Sequence, residues 1–223
     1  MAVAITTYSG LKAGMLSWIQ RDDDTVLSGR FDDFLKNCER RMYYGYATED
    51  VGNPMRSDPL RIPEMETVDA AFALTSGTIA HPTNFLELIS AYHNGDSSPL
   101  EIVSQRTLDG YGNQTLGSTK KIAVSGTNFR FLDAPTTGTA TLRYYQKLST
   151  PTEAGVVNTI LTTYPDVYLY GCLIEANIFT QNHARVLPYL AQYNASVSGL
   201  NARMQRISAS SVPVIRVRAG MCP

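Results

Sequence analysis

The sequence predicts an α+β protein: mainly a helical bundle, with an inserted β-rich domain and an extended C-terminal tail. Three observations predict it. Apolar residues recur at helical spacing towards both ends of the chain, the spacing shifts towards two across the middle, and the last helical pattern stops at Ile207 before a short alternation. The divisions that follow are N-terminal bundle helices over 1–52, a β-rich insert over 53–151, C-terminal bundle helices over 152–207 and a tail over 208–223.

Leu11, Met15, Trp18 and Ile19 fall on one helical face, with Thr7 or Ser9 available as the cap and the acidic run Asp22-Asp23-Asp24 marking the end. A second helix carries Phe31, Phe34, Leu35, Cys38 and Met42 on its apolar face. Arg40 and Arg41 stand near its C-terminus, where cations suit the dipole. From about Asn53 to Pro151 glycine and proline become frequent and short strands are expected. Val68, Ala70, Phe72 and Leu74 alternate with Asp69, Ala71 and Ala73, the pattern of a half-buried strand. "KKIAVSGTNFRFLDAP" reads as a hairpin with Ser125-Gly126-Thr127-Asn128 at its tip, and "TATLRYYQK" as a strand with Ala140, Leu142 and Tyr144 facing one way.

After "STPTEAG" the helical period returns, so the N- and C-terminal helices are expected to pack together. Tyr164 precedes Pro165 and is biased out of the helical region, whereas Pro165 suits the first helical position and Asp166 the positive end of the dipole. The helix that begins there has no obvious wet side. Leu169, Leu173 and Ala176 form one stripe, Val167, Tyr170 and Ile174 a second, and Tyr168, Cys172 and Phe179 a third that Glu175 interrupts. Such a helix is either central in its own domain or shared with a neighbouring subunit. Tyrosine joins an apolar body to a polar tip and is favoured at interfaces, and the chain has 13 of them. The last helix, roughly 184–207, repeats Val186, Leu190, Tyr193, Val197, Leu200, Met204 and Ile207 in steps of four and three, a seam for side-by-side helix packing. Pro188 is expected to kink it or delay its start. In the tail, Val212, Val214, Ile215, Arg216, Val217 and Arg218 have no hairpin partner in sequence. They are expected to fray, to fold back on the β block, or to add to another subunit's sheet or groove.

With 223 residues and 24.5 kDa the chain can bury a real core. A net charge of −1 and a pI near 6.3 provide no field that concentrates nucleic acid or an anionic membrane. Cys38, Cys172 and Cys222 lie far apart without a C-x-x-C pair, which fits neither a zinc knuckle nor a disulfide framework and suits a reducing compartment. The start "MAVAITTYSG" lacks a basic region followed by an apolar run, so a soluble, unsecreted protein is expected and the sequons at Asn113 and Asn194 are chance matches.

No chemistry stands out. Gly110, Gly112 and Gly117 of "DGYGNQTLG" fit neither the dinucleotide nor the phosphate loop and read as a turn-rich loop. His81, His93 and His183 are dispersed, and neither an H-E-x-x-H pair nor a G-x-S-x-G elbow occurs. The triple aspartate lacks the glycine and terminal glutamate of a calcium loop. No catalytic, cofactor or metal residue is assigned, and no cofactor is expected. A binding module for a carbohydrate or host receptor is the alternative reading, with Tyr111, Tyr144 and Tyr145 as candidate stacking residues.

Several stretches, taken in order, carry a resemblance: "TTYSGLKAGMLSWIQRDD", "RFDDFLKNCERRMYYG", "PLRIPEMET", "HPTNFLELISAY" with "PLEIVS", and "TTYPDVYLYGCLIEANIFTQNHARV" with its Tyr-Pro-Asp-x-Tyr-x-Tyr-Gly core. The chain resembles the head-to-tail adaptor, or connector, proteins of tailed bacteriophages. The resemblance implies a structural virion protein without enzymatic activity, forming a homo-oligomeric ring, typically twelvefold, under the portal protein and joining it to a tail or nozzle protein. It implies that double-stranded DNA passes through the lumen without specific binding, that the protein resides at the virion's head-tail interface after assembly in the host cytoplasm, and that no membrane is involved. It further implies that Val212 and Val214 to Arg218 dock on the portal. Tyr164, Tyr168, Tyr170, Leu173, Ile174, Leu190, Tyr193, Val197, Leu200 and Met204 would then build the bundle core and the subunit contacts.

Overall fold

A computed structural model describes residues 4–46, 55–75, 77–94, 98–111, 121–132 and 137–208. The protein is α+β, with helices and a curled mixed sheet. The chain divides into two compact units. One takes in Ser9–Pro63 and the described chain from 164 to 208; the other holds Glu64–Thr163 together with Thr6–Tyr8.

The first unit is helical: α1 (Tyr8–Ile19), α2 (Thr25–Gly29), α3 (Phe31–Tyr44), α6 (Pro165–Phe179) and α7 (His183–Ser208). In α1 the buried stripe is Leu11, Met15 and Leu16. Trp18 departs from the expected face and is 48% exposed, because its ring meets Tyr170 edge-on at 6.0 Å and Tyr189 at 6.4 Å and keeps its other side open. Both α1 and α6 end in the same way. After α1 the N–H groups of Gln20 and Arg21 donate to the carbonyls of Ser17 and Leu16, and after α6 those of Gln181 and Asn182 donate to Ile178 and Asn177. These are Schellman closures, in which the residue past the helix end turns left-handed to satisfy the last carbonyls. Glycine is usual there, yet Gln20 and Gln181 hold the position at φ 61° and 56°.

The acidic run does more than end α1. Asp24 caps α2, its Oδ1 accepting from Leu27 N at 2.9 Å, and that bond holds its carboxyl below the usual carboxylate range. On α3 the expected face is buried: Phe31, Phe34, Leu35, Cys38 and Met42. α7 neither starts late nor stops at Pro188. As its sixth residue, Pro188 lies just past the first four positions, whose N–H groups have no partner within the helix, and it removes the one bond to Ala184 O without ending α7.

The second unit is built on a sheet whose described strands run β3 (Phe85–His93), β7 (Thr137–Gln146), β1 (Glu66–Thr75), β2 (Thr78–Ala80), β6 (Asn128–Leu132), β5 (Lys121–Ser125) and β4 (Glu101–Ile102) across its width. Every pairing is antiparallel except β4 with β5. Short helices α4 (Gln105–Gly110) and α5 (Thr159–Thr163) complete it. The expected hairpin is β5–β6, with Ser125 opposite Asn128 and Gly126 at φ 58°. Left-handed glycine at the first of two turn residues matches the right-handed twist of the strands. On β7 the residues Ala140, Leu142 and Tyr144 share the buried face and join Ile122, Phe129 and Phe131 in the core.

Two local expectations fail here. Alternation along β1 breaks between Asp69 and Phe72, where the register with β7 shifts. Leu74 is buried but Val68 is 62% exposed, as a bulge reverses which face each residue takes. Gly110 ends α4 rather than lying in a loop, because Ser104 caps that helix through Thr107 N and Leu108 anchors it in the core. Gly112 and Gly117 lie outside the described residues.

Candidate functional site

Within the helical unit α6 packs on α3 and on α7. Val167, Tyr168, Leu169, Cys172, Leu173, Ile174 and Ala176 are all buried, so the helix without a wet side is covered by its own chain. Of the two arrangements open to such a helix, the central one holds along most of α6, and only its last residues, Ile178 and Phe179, remain exposed.

The Tyr-Pro-Asp-x-Tyr-x-Tyr-Gly stretch is a set of packing devices. Tyr164 stands outside the helix at φ −130° and ψ 57°, Pro165 opens it, and Asp166 sits in the first turn. Tyr168 is fully buried and its hydroxyl donates to Glu39 Oε1 at 3.0 Å. Tyr170 is half-buried beneath Trp18. At Gly171 α6 approaches α3 tightly: a Cβ there would stand 2.2 Å from Cys38 Sγ. The Cys38 thiol is pushed up by its hydrogen bond with Cys172 and by burial, so both cysteines behave as small apolar core groups.

Of the remaining residues expected in the bundle or its contacts, Leu190, Tyr193 and Val197 are buried in α7, and burial pushes the Tyr193 hydroxyl well above the ordinary tyrosine range. Leu200 and Met204 are half-buried, and Ile207 is 50% exposed. The seam is thus covered along its first half and progressively open along its second. Tyr164 is half-buried and its hydroxyl accepts from Arg203. Val212, Val214, Ile215, Arg216, Val217 and Arg218 lie outside the described residues.

Sequence reasoning missed the clamp that α7 places on the segment after α3. Asn201 donates through Nδ2 to Pro59 O at 2.9 Å and accepts through Oδ1 from Arg61 N at 2.8 Å, and Asn194 Nδ2 donates to Arg56 O at 2.9 Å. The two asparagines stand seven residues apart, two turns along one face, a spacing that flanks the apolar seam. Leu60 and Ile62 are buried beside the clamped backbone.

In the β unit the stacking candidates do not form a platform. Tyr144 and Tyr145 are neighbours on a strand and point to opposite faces; Tyr144 is buried against Phe85, and Tyr111 lies beneath the Lys121 ammonium at 5.3 Å. Among the described residues no group of three His, Cys, Asp or Glu side chains is placed to hold a metal ion. His81 packs on Phe129 at 4.2 Å and Phe85 at 4.6 Å, with Nε2 unbonded, and burial lowers its pKa. Its neutral form belongs to the folded state. The stabilisation is complete above the ordinary value of 6.5 and is lost as pH falls through and below it, because the unfolded chain then binds the extra proton. Denaturant titrations of the sheet signal between pH 7.5 and 5 are expected to show a falling midpoint, and H81Q is expected to flatten that slope.

The family model described as SU10 adaptor protein matches residues 6–217. The chain belongs to this family. It is a family of phage head-to-tail adaptors, so the protein is a phage adaptor with a structural role in the virion. No curated protein matches the chain. Among the described residues no helix is long and apolar enough to cross a membrane.

Proposed function

We propose that the protein forms a homo-oligomeric ring, twelvefold in keeping with the family resemblance, seated under the portal and joining it to a tail or nozzle protein. The helical unit supplies the bundle and the β unit is an excursion from it. Double-stranded DNA passes through the lumen, and the near-neutral net charge of −1 suits that passage, because a strongly basic wall would hold the polyanion. The role is structural rather than enzymatic.

Family membership over residues 6–217 carries this reading. The open second half of the α7 seam, Leu200, Met204 and Ile207, supports it as a surface left for a neighbouring subunit. So does Trp18, whose uncovered side adds an aromatic anchor of the kind interfaces use. Segment 212–218 is the proposed portal-docking strand, with backbone hydrogen bonds for affinity and the alternating Val and Arg side chains for specificity.

Native mass measurement with and without purified portal tests the reading. The expected result is a ring-sized mass in the portal mixture; a protein that stays monomeric there overturns it. Deleting residues 210–223 is expected to leave the melting of both units unchanged while abolishing portal binding. Full binding by the shortened chain rejects the docking strand.

A further inference from the structure

A cleft of about 510 Å³ opens in the helical unit between the end of α3 and α6, lined by Asn37, Arg40, Arg41, Tyr46, Glu175 and Ile178. The charge of its described lining is unbalanced. Arg41 is held on one side only: Nη2 donates to Glu175 Oε1 at 3.1 Å, the two side chains being 6% and 13% exposed. Tyr46 lies 5.1 Å from the guanidinium carbon and satisfies no N–H. Nε and Nη1 have no acceptor among the described residues, although both are shielded from water. Buried donors without acceptors are costly, more so on a charged group, and native proteins rarely leave them so. Arg40, exposed on the same rim, adds a second cation.

We infer that this cleft is a binding site for a carboxylate, which accepts from Arg41 and is drawn in by Arg40. The charge count selects the class. Among the described lining residues, two arginines and one glutamate leave one positive charge, which a single carboxylate neutralises. A phosphate dianion overshoots it and meets Glu175 at close range. Arginine also pairs with planar carboxylates through charge-assisted hydrogen bonds. The carboxylate is either a small free acid or an acidic side chain of a protein.

The Arg41 Nε–H resonance reads the site directly. On titrating the full chain at constant ionic strength with acetate, or with the blocked tripeptide acetyl-Gly-Glu-Gly-amide, that resonance is expected to shift saturably, and less with inorganic phosphate. Equal affinity for acetate and peptide identifies a free acid as the occupant, and tighter peptide binding identifies an acidic side chain. R40Q, at an exposed position, keeps the fold and is expected to weaken binding about fivefold. No saturable shift with either carboxylate, unchanged affinity in R40Q, or tighter binding of phosphate overturns the inference. R41K assigns the resonance; if it does not fold, the R40Q comparison still decides.

Discussion

Replacing Gly171 with alanine is expected to cost the helical unit about 2–3 kcal/mol, although alanine is the better helix former by about 1 kcal/mol. The added Cβ falls 2.2 Å from Cys38 Sγ and 3.2 Å from Cys38 Cβ, so either the thiol must turn into an occupied core or α6 must back away from α3. Backing away also loosens Tyr168, whose hydroxyl bond to Glu39 spans the same two helices. The second site decides the cause. C38A removes the sulfur and is itself expected to cost about 1–2 kcal/mol as a small cavity. Combined with G171A it is expected to cost less than the sum by at least about 1 kcal/mol, the coupling of two groups that share one space. Trp18 is the chain's single tryptophan and lies in this unit, so urea unfolding followed by its fluorescence measures all three variants. A G171A protein as stable as the parent rejects the tight approach.

The second large effect is expected at Glu175. E175A leaves the Arg41 guanidinium buried without its carboxylate, a change that typically costs about 3–5 kcal/mol. Since Glu175 is 13% exposed, the lower end of that range is expected. E175Q keeps an acceptor for Nη2 and is expected to lose less. Replacing both partners together, as in R41M with E175L, is expected to recover most of the stability, because two well-packed apolar groups do not pay the desolvation that an ion pair does. The loss in E175A is expected to change little between 0.05 and 0.5 M salt, as ions screen a covered pair weakly. Stability unaltered in E175A rejects the assignment of Arg41 as a charge dependent on Glu175.

What the sequence disclosed was local. The Gly126 turn, the inward row Ala140, Leu142 and Tyr144, and the Pro165 helix start each depend on residues within a few positions of one another. Features that depend on a distant partner stayed hidden. The bulge after Asp69 exists only relative to β7, and it places Val68 on the open face against the pattern of its own strand. Two local features were hidden as well, since Gln20 and Gln181 close their helices without the glycine that normally advertises such a turn. α6 looked short of cover because its neighbours α3 and α7 are remote in sequence or face it with residues that are ambiguous alone. The family was readable, since order and spacing of packing residues survive in one dimension. The Arg41 cleft was not, because its ion pair joins positions 134 residues apart.

The asparagine clamp on residues 56–61 has a consequence for how this part of the molecule tolerates change. Asn194 and Asn201 grip carbonyl and amide groups that every residue carries, proline excepted for the amide. The grip is therefore blind to which side chains stand at 56 and 59. Variation there leaves the path of the chain intact, and the constraint passes to the two amides on α7 that do the holding.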